Sequence, residues 1–509
     1  MFSSDATFAY GAPTAQSNGQ MRAYWVDAFG DGIGTEAQID ELVNATAVAH
    51  MNAIIAQIGR RGDCFCNRAT MPRTEAGIQA YPFDPLQTLI DKAHARGIEV
   101  HAWVIATAIW NSATPPHAAD HVFNTHGPTR QGRDNWLLTR WDGASRAGDD
   151  FYLDPGHPDA ADYIVRMVTS LVANYDIDGV NLDRIRYPDH NLGNEPSWGY
   201  NPVAVARFQE AAARSDVPMP TDPVWTQWRR DQITSLVRRI YLETYTLKPW
   251  VRVSADTIVY GHGPQSPDGW TRSAAYSLVL QDWQAWLREG ILDMAIPMNY
   301  KQEGTSQFSD TRQMYDEWST FAKDHQFNRH VAVGSALYLN SVSGSLQQIR
   351  RALEPSAAGN VAAGWVGYSY RAPDARSDGG TRPPAGSRAE LARALTQRDG
   401  SGEQGPAMFE VVAPMPSMPW KTVATTGHAL GILLGNDTQP VIDARVDLYA
   451  ATTGAWVATQ YSGSAGRFGF VDVAPGSYVA VTDDPRTGRR DIPLTITAGT
   501  VATTVSLPH

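Results

Sequence analysis

The chain is poor in cysteine and lysine and has no long apolar run, and each shortage closes off a class of protein. Cys64 and Cys66 are the only cysteines among 509 residues, so no disulfide framework can staple the fold. Their spacing predicts a strained pairing rather than a bridge. A zinc site at Cys-Phe-Cys lacks a second cysteine pair, so the expectation is two small residues beside a strand end and no metal. No stretch approaches the roughly 20 apolar residues needed to span a bilayer. The start, MFSSDATFAYGAP, carries no charged-then-apolar signal; residues 1–20 read as a flexible leader on a mature or trimmed exported protein. A net charge of −11 with the signs well mixed offers no basic stripe for a phosphate backbone, which argues against nucleic acid as a partner.

What is present is the balance of a folded soluble chain, 43 % hydrophobic and 19 % charged, long enough for two or three domains. From Met21 onward short apolar runs alternate with helical stretches, as repeated βα units require. The runs are Arg22–Phe29, Asn52–Ile58, Ile98–Ala106, Asp178–Asp183, Val251–Asp256, Leu292–Tyr300, Val331–Tyr338 and Gly364–Tyr370. Thr35 is placed to cap the first helix, and Gly97 and Gly290 to end later ones. Eight such units predict an α/β chain whose residues 21–400 form a (β/α)8 TIM barrel, longer than the roughly 250 residues usual for that fold. The surplus lies at 107–157, after strand three, and 184–224, after strand four, so both insertions rise over one rim. Their Trp110, Trp136, Trp141 and Trp198 suit either a sugar-stacking wall or the mini-cores of long loops. Residues 401–422 read as a linker. Residues 423–509 hold seven short alternating runs, from HALGILL to VATTVSL, that predict a small all-β sandwich domain. Its run GRFGFVDVAPGSYVAV resembles carboxypeptidase-regulatory or prealbumin-like domains, which implies a stabilising or attachment module.

The segment Tyr175–Pro188, YDIDGVNLDRIRYP, concentrates the chemistry. Strand alternation puts Val180 and Leu182 on one face and Asn181 and Asp183 on the other, which aims Asp183 into the barrel at the carboxyl-terminal rim, where parallel barrels keep their active sites. Glycoside hydrolysis needs one carboxylic acid to protonate the leaving oxygen and one carboxylate to attack or activate water, about 5–10 Å apart. Asp183 is the expected nucleophile or base, with Arg184, Arg186 or both keeping it ionised. For the acid, Glu303 is favoured, on a loop able to fold over the cleft, with Asp256 the other candidate. The remaining rim residues, Asp27, Arg61, Asp63, His101, Trp103, Asp154, Arg186, Asn299, Tyr300, Lys301 and Tyr338, are expected to bind substrate.

Plainer roles compete with these. Asp183 would serve as well in a structural salt bridge, and His101 as a core histidine satisfied by a neighbour. Trp225, Trp228, Arg229 and Arg230 fall on a helix expected to supply packing and surface, and Asp178 and Asp293 on lower strand ends, where carboxylates serve stability. Rival chemistries are a Schiff-base aldolase using Lys301, one of five lysines, a metal-dependent deacetylase using Asp27, His101 and Asp63, and a glycan-binding barrel without activity.

The runs MRAYWVDAF, QIGRRGD, GIEVHAWV, YLDPGHPDAADYIV, YDIDGVNLDRIRYP, WTQWRRDQI, VRVSAD, QDWQAWLREGILDMAIPMNY and VGSALYLN, in that order, resemble the glycosyl-hydrolase-like family 10 barrels over about residues 21–370. That family includes bacterial envelope enzymes that cut peptidoglycan glycan strands. The resemblance implies a TIM-type barrel, glycosidase activity and a role for Asp183, and leaves the substrate open; the expectation drawn from the whole sequence is a secreted or envelope glycosidase acting on an envelope or extracellular polysaccharide or oligosaccharide, with no cofactor. The run ADTIVYG departs from the family pattern, which has a small or hydroxyl residue in place of Asp256; the departure weighs against Asp256 as a general catalyst and points instead to a role in substrate choice.

Overall fold

A computed structural model describes residues 19–75, 77–303, 309–397 and 407–506. The expected leader, but for its last two residues, and the first part of the expected linker, 401–406, lie outside the described residues. Eight parallel strands, β1 (Met21–Val26), β2 (Ala53–Gly59), β3 (Glu99–Ile105), β4 (Gly179–Asp183), β5 (Arg252–Thr257), β6 (Met294–Asn299), β7 (His330–Ala336) and β8 (Gly364–Tyr368), close a barrel in the order β1-β8-β7-β6-β5-β4-β3-β2. The expected TIM barrel is therefore the fold. Alternation divides each strand between two cores. Met21, Ala23, Trp25, Ile55, Trp103, Ile296 and Val366 fill the barrel interior, while Tyr24, Ile54, Val180, Leu182 and Val253 pack outward. The helices around the barrel are α1 (Glu36–Val48), α2 (Pro85–His94), α3 (Pro158–Asn174), α5 (Pro223–Leu247), α6 (Trp283–Glu289), α7 (Ser309–Asp324), α8 (Val342–Leu353) and α9 (Pro384–Thr396), while α4 (Pro202–Ala211), in the second insertion, packs Phe208 on Trp225 in a small core of its own.

Local chemistry sets the boundaries. Thr35 Oγ1 accepts the Gln38 N–H at 3.2 Å and starts α1. Gly290 ends α6 in the left-handed region, φ 87°, where only glycine sits without strain. Asp178 accepts the Val100 N–H at 2.8 Å and faces His94 Nε2 at 2.8 Å, tying the lower end of β4 to β3 and α2.

One expectation needs correcting, and two readings left open are decided. Cys64 and Cys66 are joined in a disulfide, with Cα atoms 5.1 Å apart. Cys64 N donates to Pro72 O and Phe65 N to Ile58 O, each at 2.8 Å, and this tight loop brings Cα atoms two residues apart within disulfide range. Arg229 and Arg230 are buried rather than on the surface. Arg229 donates to the carbonyls of Pro196 and Trp198, so α5 clamps the second insertion from below. Of the insertion tryptophans, Trp136 and Trp198 are buried, Trp136 stacked on His126 with ring centroids 3.4 Å apart. Those two hold the insertions together and are not open to a ligand, whereas Trp141 is 38 % exposed.

The carboxyl-terminal region is the expected sandwich. Its strands are β9 (Gly427–Leu433), β10 (Arg445–Ala450), β11 (Trp456–Tyr461), β12 (Arg467–Val473), β13 (Gly476–Asp484), β14 (Gly488–Ile496) and β15 (Val501–Ser506), in sheets β12-β9-β15 and β11-β10-β13-β14. Leu433, Val446, Leu448, Phe468, Phe470 and Ala480 form its core. The domain rests on α5: His428 packs edge-on against Tyr245 at 4.6 Å, and Arg239 donates to Ser464 Oγ at 2.7 Å. Arg207 pairs with Asp443 at 2.9 Å, and Arg329 with Asp472. In the connecting segment, Trp420 and Lys421 reach Asp293 at 2.7 and 2.6 Å, sealing the lower end of the barrel.

Candidate active site

The site is built where β4 ends. Leu182 stands opposite Ala255 on β5, so the flanking residues Asn181 and Asp183 share the barrel interior with Ser254 and Asp256. Arg184 then turns with φ 50°, which folds its own N–H back onto Asp183 Oδ1 at 2.6 Å. From β3, Trp103 Nε1 donates to Asp183 Oδ2 at 3.2 Å. A backbone amide and an indole thus orient the carboxylate. Of the two expected arginine partners, Arg184 attracts Asp183 through its charge while its guanidinium reaches Asp150 and the Tyr152 hydroxyl, the latter at 2.9 Å; Arg186 turns to Asp189 at 3.7 Å.

Asp256 lies beside Asp183 and is 2 % exposed. Burial pushes its carboxyl well above the usual carboxylate range, the charge of Asp183 raises it further, and the Asn181 amide and Trp25 indole oppose this only in part. It is the protonated partner of the two. Asp256 Oδ1 and Asn181 Oδ1 are buried without a hydrogen bond among the described residues. Unsatisfied polar atoms around a carboxyl pair mark where a polar ligand would complete the site.

Aromatic rings line the mouth. Tyr300 stacks on Tyr368, centroids 5.3 Å apart. Trp25 stands edge-on to Tyr300 and Tyr368 at 6.1 and 6.2 Å, and Tyr338 edge-on to the same two at 6.4 and 6.0 Å. Burial, with Asp256 and Asp183 close by, raises the Tyr300 hydroxyl far above its ordinary value, keeping it a donor. Trp25 and Tyr368 escaped the sequence reading. Both were accessible to it, because Trp25 shares a strand face with Asp27, and Tyr368 with inward-pointing Val366.

The other expected residues divide. At the rim, Asp27 meets Arg371 Nε at 3.1 Å, and Arg61 meets Asp150 at 3.1 Å. Asp63 braces this loop through Arg60 at 2.8 Å and the Arg61 N–H at 3.2 Å. Lys301 Nζ donates to Val259 O at 3.0 Å, and burial lowers it to about 8. Other residues sit apart from the mouth. His101 is fully buried lower on β3, with Nε2 3.0 Å from Glu99. Asn299 faces outward, donating to Tyr315 O at 2.8 Å and Ser319 Oγ at 3.1 Å on α7. Asp154 is buried under the insertions, accepting the Gly156 N–H at 2.8 Å, and burial raises it to about 7. Glu303 pairs with Arg351 on α8 and lies 3.9 Å from Arg312 on α7, which draws its carboxylate away from Asp183 toward the outer helices. The residues that follow it, 304–308, lie outside the described residues. Asp27, His101 and Asp63 do not come together, and among the described residues no three His, Cys, Asp or Glu side chains are grouped to hold a metal.

Comparison with known proteins adds to this geometry. Residues 20–349 match the family described as Glycosyl hydrolase-like 10. The chain is 28 % identical over 353 residues to glycosyl hydrolase YngK of Bacillus subtilis, covering 65 % of this chain and 64 % of that protein. It is 28 % identical over 279 residues to glycosyl hydrolase DigH of Escherichia coli, covering 52 % and 58 %. The chain therefore spans somewhat less than two thirds of the relatives it matches. Among solved structures, the glycoside hydrolase domain of PgaB from Bordetella bronchiseptica shares the fold, with a TM-score of 0.52 at 13 % identity over 75 % of this chain and 100 % of that one.

Proposed function

The chain belongs to the glycosyl hydrolase-like 10 family, and from that premise we propose that it hydrolyses glycosidic bonds in a bacterial envelope or extracellular polysaccharide, with a peptidoglycan-type glycan as the leading substrate and a secreted or envelope location. The observation that carries the reading is the buried pair of carboxyls, one pushed toward its protonated form, inside an aromatic mouth. Asp183 attacks the anomeric carbon while Asp256 gives its proton to the departing oxygen. Asp256, now ionised, takes a proton from water, and that water releases the sugar from Asp183. Asp256 replaces Glu303 as acid because Glu303 is held by Arg351 outside the mouth. Tyr300, Trp103 and Trp25 supply donors and flat faces for the sugar.

The register supports the retaining route. Neighbouring strands lie about 4.8 Å apart, which suits the short carboxyl separation of retaining enzymes better than the roughly 6.5–9.5 Å of inverting ones. Proton NMR of the first product formed from a cleaved glycan is expected to show the anomeric configuration of the substrate. An inverted first product would rule out Asp183 as the nucleophile.

A further inference from the structure

β1 and β5 stand four strands apart whichever way the barrel is counted, so the loops that follow them face each other across the mouth. Each loop leaves one aromatic ring in solvent at the third residue past its strand, Phe29 at 56 % exposed and Tyr260 at 44 %. A lone exposed aromatic is ordinary on a protein surface. Two at matching places on opposite rims of one cleft are a pair that the cleft itself relates.

Both rings are held still. Around Tyr260, Ile258 N donates to Gln281 Oε1 at 2.8 Å, Lys301 Nζ to Val259 O at 3.0 Å and Trp318 Nε1 to Gly261 O at 3.0 Å. The Tyr260 hydroxyl donates to Asp189 Oδ2 at 3.1 Å. Phe29 sits in a turn that its own N–H ties to Asp27 Oδ1 at 3.1 Å, with the Arg61 guanidinium 5.9 Å from its ring centre. A ring fixed before any ligand arrives loses little freedom on binding, which makes it an efficient contact.

Between the two rings runs a polar wall built from the insertions. Asp150 joins Arg61, at 3.1 Å, to Arg184, and Arg184 reaches the Tyr152 hydroxyl at 2.9 Å. Tyr300, Tyr338 and Tyr368, from β6, β7 and β8, form the facing wall. A barrel of eight tilted strands is roughly 15 Å across, more than one sugar ring spans, so a ligand that touches both rings is a chain. Apolar rings at the two ends and hydrogen-bonding groups along the sides match a glycan, whose pyranose rings have apolar C–H faces and hydroxyl-bearing edges.

Resting on the glycosidase reading, we propose that a glycan chain crosses the mouth from the β1 rim to the β5 rim, with Phe29 and Tyr260 as its outer stacking residues on either side of the bond that is cut. The cut then falls inside the chain rather than at its end. Lys301 acts as a positioning residue, the prop of the loop that carries Tyr260.

Calorimetry in the Asp183→Asn background tests this with two ladders, chitin oligosaccharides and denuded peptidoglycan fragments, each from the disaccharide upward. Affinity for at least one ladder is expected to rise with length until both rings are reached. Phe29→Ala and Tyr260→Ala are each expected to weaken the long members by about tenfold, the size of one stacking contact, and to leave the shortest member that binds little changed. Tyr260→Phe, which keeps the ring and drops the bond to Asp189, is expected to bind as the parent does. The first products that wild type releases from a long strand are expected to be of mixed lengths. Alanine variants that bind long members as tightly as the parent overturn the inference, as does a loss that falls on all lengths alike. So do a Tyr260→Phe loss equal to that of Tyr260→Ala and first products that are all one terminal unit. If any of these is found while wild type still cuts a glycan, this inference falls and the glycosidase reading stands. If no glycan is bound or cut, both fall.

Discussion

In the proposed reaction Asp256 is the acid, because burial and Asp183 together push its carboxyl toward the protonated form. In the unfolded chain the same carboxyl ionises above about pH 4. Between that value and its folded pKa the native state binds more protons than the unfolded state, so its contribution lowers stability as pH rises. Asp256→Asn removes the titration. Thermal unfolding is expected to show the variant more stable than wild type at pH 7, with the gap closing near pH 4; a variant less stable at both would refute the protonated assignment. The same change is expected to lower glycan hydrolysis by about 10² to 10⁴ and to remove the loss of activity that wild type shows as pH rises through the Asp256 pKa. Stability gained where activity is lost is the mark of a residue kept for function.

At the level of elements, the same strand ends that deliver side chains also carry the fold's punctuation. Gly290 closes α6 with φ 87°, and a Cβ there would collide with the Arg329 guanidinium and the Asp472 carboxylate. Gly290→Ala is expected to cost about 1 kcal/mol from backbone strain alone and more from the disturbed ion pair, read as a lower Tm; an unchanged Tm would contradict the assigned role. The stop at Gly290 was legible in the sequence, as were all eight barrel strands, because glycine punctuation and two-residue alternation are local signals. The place of Asp183 at the carboxyl end of β4 was legible for the same reason. What escaped depends on contacts distant in the chain. The sequence reading gave Arg184, Arg186 or both to Asp183; Arg184 keeps that attraction while also pairing with Asp150, and Arg186 goes to Asp189. It gave Glu303 to the cleft, yet Arg351, 48 residues on, draws it outward. It left Arg229 to packing and surface together, and the insertion carbonyls of Pro196 and Trp198 that lie on top of it make it packing. Nor could spacing alone bring Cys64 and Cys66 together, since the loop hydrogen bonds to Pro72 and Ile58 do so.

Over the whole molecule, the barrel and sandwich bury charges against each other. Arg329, 6 % exposed, depends on Asp472, and Arg239, 8 % exposed, on Ser464 as well as on Asp162 and Glu243. Removing residues 424–509 would leave Arg329 without its acid and bare Tyr241 and Tyr245, which pack against His428. The truncated barrel is expected to melt several degrees lower or to aggregate, as loss of a buried partner and of apolar cover predicts; a barrel that melts unchanged would make the sandwich an independent appendage. The seam also reaches the second insertion, where Arg207 and Glu210 pair with Asp443 and Arg486 of the sandwich, so a soluble truncated barrel is expected to lose part of the support of its mouth as well. The most direct test of the whole account is digestion of a glycan panel, including denuded peptidoglycan strands, by wild type and by Asp183→Asn at equal folded concentration. Wild type is expected to release new reducing ends from at least one glycan, with Asp183→Asn slower by about 10² or more; equal product from the two proteins would contradict the account at its centre.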